Sequence, residues 1–412
     1  MLRRYFKIFK DPIWLRVITL SLTLFFVMLA DALISFWAPN LIQDKLGSAV
    51  LMGMIISFQS VVGLGADIIF PQILRMVTVK KFVLLAIVAS IATSLALLSS
   101  AARPFIAIFL LAMALWGVYY EFLAFGSHQF VADVIPLKER PGAWGILGVF
   151  KNLAYFLGPM LGAWILIYGE KTPAYLAILL ALVALIVLFV SGKTHDRPMT
   201  IDISQVNLVA EIKHWLTLFV HVWPMIILSL FLGFIDATFW TIGAVLTERL
   251  ARENFWGSLF LPMYALPSLF MGFVVAKWGI YTGKKRLAEI FLFIAGLFLL
   301  FIGAINSIFW QLGMVFLSSA ALSITYPLVD GVYSDIVARL GRERKHMIGL
   351  TSSVTNLSYI VWPIIAGFLA VRIGEKMVFT VMGGLTLIVA VFLLLTTPRK
   401  LKLPETEIKT WE

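Results

Sequence analysis

Long apolar runs, broken by short clusters of charge, follow one another along the whole chain. Twelve of them approach the roughly 20 residues that cross a hydrocarbon layer. They lie at about 17–40, 50–74, 82–101, 104–128, 143–168, 173–191, 222–247, 255–277, 286–306, 309–334, 347–371 and 376–397. In lipid every backbone amide must find its partner within its own segment, so the runs predict helices. The pattern is that of an all-α polytopic membrane protein with 12 transmembrane helices.

The same polar landmarks recur. Asp31, inside VMLADALIS, and Asp236, inside LGFIDATFW, are 205 residues apart, and Lys80-Lys81 meets Lys285-Arg286 at that offset. Lys138-Glu139-Arg140, Gly145, Asn152-Leu153, Tyr155 and Pro159 return as Arg342-Glu343-Arg344, Gly349, Asn356-Leu357, Tyr359 and Pro363 at an offset of 204. Unlike residue types in one register mark a duplication, so the twelve helices divide into two related halves of six. The expected organisation is an N-terminal six-helix bundle over 1–191, a linker over 192–221, a C-terminal six-helix bundle over 222–397 and a tail over 398–412. Within the linker, Val206, Val209, Ile212, Trp215 and Leu216 share one helical face. That face suits a helix lying flat at the membrane interface or packing against the bundle ends.

Composition agrees with this reading. Hydrophobic residues make up 61% of the 412 and charged residues 13%, against about 25% charged in soluble chains. The net charge of +11 raises the question of nucleic acid, but the placement of the bases answers it. Of 33 Lys and Arg, 25 fall on the side of the N-terminal tail, 7 fall on the other, and Lys151 lies within a span. Such a bias orients a membrane protein with both termini in the cytoplasm. It implies a lipid bilayer as partner, the cytoplasmic (inner) membrane as location and no nucleic acid. No cysteine is present, and no phosphate-binding loop, HExxH or GxSxG pattern occurs. Neither an enzyme, a cofactor nor a metal centre is expected.

The candidate chemistry is charge where lipid would exclude it. An Asp at the bilayer centre costs roughly 2.5–3.5 kcal/mol and normally faces a wet cavity or a partner. Asp31 and Asp236 are the first candidates for proton coupling or a substrate cavity. Glu121 and His128 share a face of the fourth span, and Asp330 shares a face of the tenth with Tyr326 and Ser323. His128 corresponds to Asp330 across the repeat, and an acid facing an imidazole would relay protons near neutrality. Lys151 predicts an intramembrane ion pair with Asp67 or Glu121. Trp240 and Tyr326 are candidate cavity aromatics for a lipophilic or cationic solute. Gly158, Pro159 and Gly162 suit close helix packing and a bend.

Several of these segments resemble the major facilitator superfamily of secondary transporters over essentially the whole chain. GPMLG at 158–162 is similar to the family's fifth-helix motif. Gly272, Lys277, Gly279 and GKKR at 283–286 are similar to its loop between helices eight and nine. Asp133 with Glu139 and Arg140, and Asp335 with Glu343 and Arg344, resemble its cytoplasmic gating clusters. The chain departs from the pattern at Pro71 and Arg75, where the family carries Gly and Asp, and at Met113, where proton-linked exporters carry Arg. The resemblance implies two pseudo-symmetric bundles related by an axis along the membrane normal, with helices one, four, seven and ten lining a cavity. It also implies a monomeric secondary active transporter working by alternating access. Proton-coupled efflux of a lipophilic or cationic small molecule is the expected activity. A proton-linked nutrient symporter, a lipid transporter and a non-transporting sensor or assembly factor of the same fold are the alternatives.

Overall fold

The computed structural model describes residues 12–73, 77–136, 140–190, 208–278, 283–340, 344–398 and 403. The described residues form helices and no strand. Ten of these helices are long and apolar enough to cross a membrane. The chain folds into two compact units, Met1–Asp202 and Ile203–Glu412.

In the first unit the six spans are Pro12–Leu46, Ala49–Ile73, Val79–Ala102, Ile106–Val134, Arg140–Ile165 and Thr172–Val190. The first, at 35 residues, is about 52 Å long at 1.5 Å per residue. It overshoots a hydrocarbon core of about 30 Å, which is why apolarity alone marks it as 17–40. The Thr78 side chain caps the third span by accepting from the Lys81 amide. In the sixth, Ala174, Ala177, Ala181 and Ala184 are all buried. That small-residue stripe lets the helix press against its neighbours. Leu179 and Ile186 on its other face are exposed, with lipid as their solvent.

The second unit repeats the plan with two changes. Its first span is the α-helix Leu208–Thr238, a π-helical turn Phe239–Gly243, and a further helix Ala244–Glu253. From Leu208 onward the amphipathic part of the linker is thus continuous with the seventh span, while Val206 lies outside the described residues. His214 meets the ring of His346 at 4.5 Å, and the Trp215 ring lies beside Gly349. The eighth span is broken into Phe255–Leu259, Phe260–Ala265 and Ser268–Trp278. Pro262 and Pro267 withhold amide donors there and explain the break. Lys284–Leu300, Ile308–Leu340, Arg344–Ile373 and Glu375–Thr396 complete the unit.

The packing partners correspond between the units. The first span packs on the fifth as the seventh does on the eleventh, and the third packs on the fourth as the ninth does on the tenth. At one end of each unit the turn is made by a glycine at positive φ, Gly169 or Gly374. The next residue pairs with the end of the unit's opening span, Glu170 with Lys45 and Glu375 with Arg249.

Candidate functional site

Three spans of the second unit present polar stripes to one cavity. Ser229, Gly233 and Asp236 lie at helical spacing on the seventh span, with Leu232 beside them. Tyr326, Asp330, Tyr333 and Val337 do so on the tenth, flanked by Val329 and Ser334. Thr351, Ser352, Thr355 and Tyr359 complete the wall from the eleventh. Offsets of three, four and seven residues put these groups on one face of each helix. The cavity they enclose has a volume of about 790 Å³. Two of its described lining residues are acids, eight carry hydroxyls and none is Lys or Arg.

Asp236 is held at the wall of this cavity. Tyr264 donates to its Oδ1 at 2.5 Å and Tyr359 donates to its Oδ2. Tyr264 is set by stacking on Phe239, with ring centroids 3.9 Å apart. Two residues further along the span, Trp362 donates to the Thr238 hydroxyl. Asp330 is more open, and its backbone carbonyl accepts from Ser334. Tyr326 donates to the Leu232 carbonyl, tying the tenth span to the seventh. Ser229 and Tyr333 bond each other at 2.8 Å across the same gap.

The first unit treats its matching acid otherwise. Asp31 is 1% exposed. Trp116 Nε1 donates to its Oδ1 at 2.6 Å, Tyr120 to its Oδ2 at 2.9 Å, and Tyr155 to the same oxygen. Three side-chain donors answer this one buried carboxylate. Lys151, exposed one turn before Tyr155, holds its Nζ 6.0 Å from that tyrosine's ring centre.

The structure thus brings Asp236, Asp330 and Tyr326 together and places Asp31, Glu121, His128 and Lys151 in the other unit. Glu121 is half-buried with its Oε1 beside Gly63. His128 is exposed, its ring 4.8 Å from that of Trp144. Trp240 sits half-buried in the π-helical turn and is not among the described lining residues. A Cβ added at Gly158 would strike Ala32, and one at Gly162 the Phe36 ring, so this motif lies where the first and fifth spans cross. Asp335 pairs with Lys284 at 2.7 Å. The side chains of Asp67, Asp133, Glu139, Arg140, Glu343 and Arg344 lie outside the described residues.

Tyr264, Tyr333, Ser334 and Thr355 went unnoticed in the sequence. Tyr155 and Tyr359 registered only as marks of the duplication. Their nearly equal offsets from Asp31 and Asp236, 124 and 123 residues, are the available clue that each binds its unit's acid.

The model of the Major Facilitator Superfamily matches residues 20–342 and 256–411. The chain belongs to this superfamily. Among curated proteins it is similar to Multidrug resistance protein 2 of Bacillus subtilis (strain 168), at 22% identity over 282 residues. That alignment covers 64% of this chain and 66% of the relative, just under two thirds of its length. Among solved structures it is similar to the human organic anion transporter MFSD10 (TETRAN), with a TM-score of 0.64 at 19% identity. There 93% of this chain and 100% of the other are covered. A structure of a proton dependent oligopeptide transporter gives a TM-score of 0.74 at 14% identity, covering 97% and 100%. At such identities the likeness is one of fold. The fold is the one that transporters of this superfamily share.

Proposed function

We propose that the protein is a proton-coupled exporter of lipophilic or cationic small molecules, working by alternating access as a monomer in the cytoplasmic membrane with both termini inside. The observation that carries this is the second unit's cavity, with Asp236 and Asp330 on its wall and no Lys or Arg among its described lining residues. A carboxylate within membrane-spanning helices attracts either a cationic solute or a proton, and each displaces the other. That competition is an exchange mechanism: protonation removes the charge that retains the solute. Tyr326 and Tyr333 offer aromatic faces to the bound molecule. Glu121 and His128 are further proton carriers in this scheme, and Lys151, beside Tyr155, adjusts the charge near Asp31.

The Lys284–Asp335 pair would serve as a cytoplasmic gate together with Asp133, Glu139, Arg140, Glu343 and Arg344. The relative named for multidrug resistance supports drug-like solutes, and the neighbour named as a proton dependent oligopeptide transporter supports the coupling ion. Both supports are those of similarity.

Proteoliposomes loaded with a panel of fluorescent organic cations and given an inward or outward pH step test the reading. Cation movement opposite to the imposed proton gradient, lost in Asp330→Asn, is expected. Movement that ignores the gradient would remove proton coupling. Equal transport by Asp330→Asn would remove the cavity from the mechanism.

A further inference from the structure

We propose that the cavity of the second unit selects cations that donate hydrogen bonds, protonated amines and guanidines, over permanently charged cations that have no N–H. This rests on the reading that the cavity takes a cation, and it narrows which kind.

The hydroxyls around Asp330 have largely committed their protons within the protein. Tyr326 gives its proton to the Leu232 carbonyl at 3.2 Å, and Ser334 gives its own to the Asp330 carbonyl at 2.8 Å. Tyr359 gives its proton to Asp236. Ser229 and Tyr333 bond each other, so one of their two protons is spent between them. A hydroxyl that has donated retains its lone pairs. What these groups turn toward a solute is therefore acceptor capacity, and the Asp330 carboxylate adds only acceptors while ionised.

An ammonium or guanidinium answers such a wall with several N–H groups at once, through charge-assisted bonds to the carboxylate. A trimethylammonium supplies the same charge but meets the lone pairs with methyl groups. Acceptors stripped of water and left unanswered count against binding. An anion meets two carboxylates and no described basic residue. Charge alone would not separate the two cations; the spent hydroxyl protons do.

The test is a methylation series on one body: 2-(naphthalen-2-yl)ethylammonium, its N,N-dimethyl form and its N,N,N-trimethyl form. Each is titrated calorimetrically against the purified full-length protein. Affinity is expected to fall stepwise, with the primary amine at least about tenfold tighter than the trimethyl compound, which corresponds to about 1.4 kcal/mol. In Asp330→Asn, checked for native helix content by circular dichroism, all three are expected to bind more weakly, with the primary amine losing the most.

Equal or tighter binding of the trimethyl form, still dependent on Asp330, would overturn this inference and leave the cation cavity standing. Binding of all three unaffected by Asp330→Asn, or of none to the unaltered protein, would overturn the cation cavity itself. The comparison on the unaltered protein stands alone should the variant fail to fold.

Discussion

A carboxylate inside a membrane helix persists only when its lone pairs are answered, and the two matching acids of this chain are answered differently. Asp31 takes donors from Trp116, Tyr120 and Tyr155 and is sealed. Asp236 takes two tyrosines and still borders a cavity. Tyr155→Phe is therefore expected to destabilise the fold by about 1–3 kcal/mol, the range for a buried group left short of a bond, read as a lower melting temperature in detergent. Tyr359→Phe is expected to shift the pH at which transport is half-maximal with a smaller effect on melting, read from pH profiles in proteoliposomes. Replacing Lys151 by Met is expected to leave cation movement but weaken its dependence on the pH gradient; unchanged coupling would place Lys151 outside the mechanism. Both acids were legible in the sequence, because a charge within an apolar run of more than 20 residues demands an explanation. Their donors were not. Tyr264 reaches Asp236 from a helix broken at two prolines, and nothing local announces that approach.

Among the helices, length and apolarity identified the spans, since lipid imposes both. Their ends escaped because polar turns protrude beyond the hydrocarbon: the first helix begins at Pro12 and the tenth runs on to Leu340. The linker's amphipathic stretch fitted two arrangements by its pattern. In the structure Trp215 packs on Gly349 and His214 on His346, in a helix continuous with the seventh span. The glycine-proline motif carries its own structural demand. Gly158 admits Ala32, and Gly162 admits Phe36, at the crossing of the first and fifth spans. Gly158→Leu is expected to force these helices apart and to cost at least about 1–3 kcal/mol, as overpacking does. Size-exclusion profiles and melting of the purified variant would show it. Gly148→Ala, at a site where a Cβ meets nothing within 4 Å, is the matched control and is expected to behave as the parent.

Over the full chain, the duplication read from the sequence returns as geometry. The acid–tyrosine bonds, Asp31 with Tyr155 and Asp236 with Tyr359, keep the register of the repeat. So do the ion pairs Lys45–Glu170 and Arg249–Glu375, which the sequence does not announce because isolated charges in short loops carry no pattern. An even number of spans returns the chain to its starting side. The absence of native cysteine makes that easy to check with single cysteines placed in the tails and in the Gly169 and Gly374 turns. Membrane-impermeant maleimide applied to intact cells is expected to label the two turns and spare both tails until the cells are opened.

The sealing of Asp31 also fixes a number. A molecule made of two like halves invites the assumption of two equivalent receptors. Yet the first half's acid is already saturated by its own tryptophan and tyrosines. Calorimetry with a tightly held amine should therefore return one ligand per polypeptide, and an inhibitor that blocks the second half should silence the protein at equimolar dose.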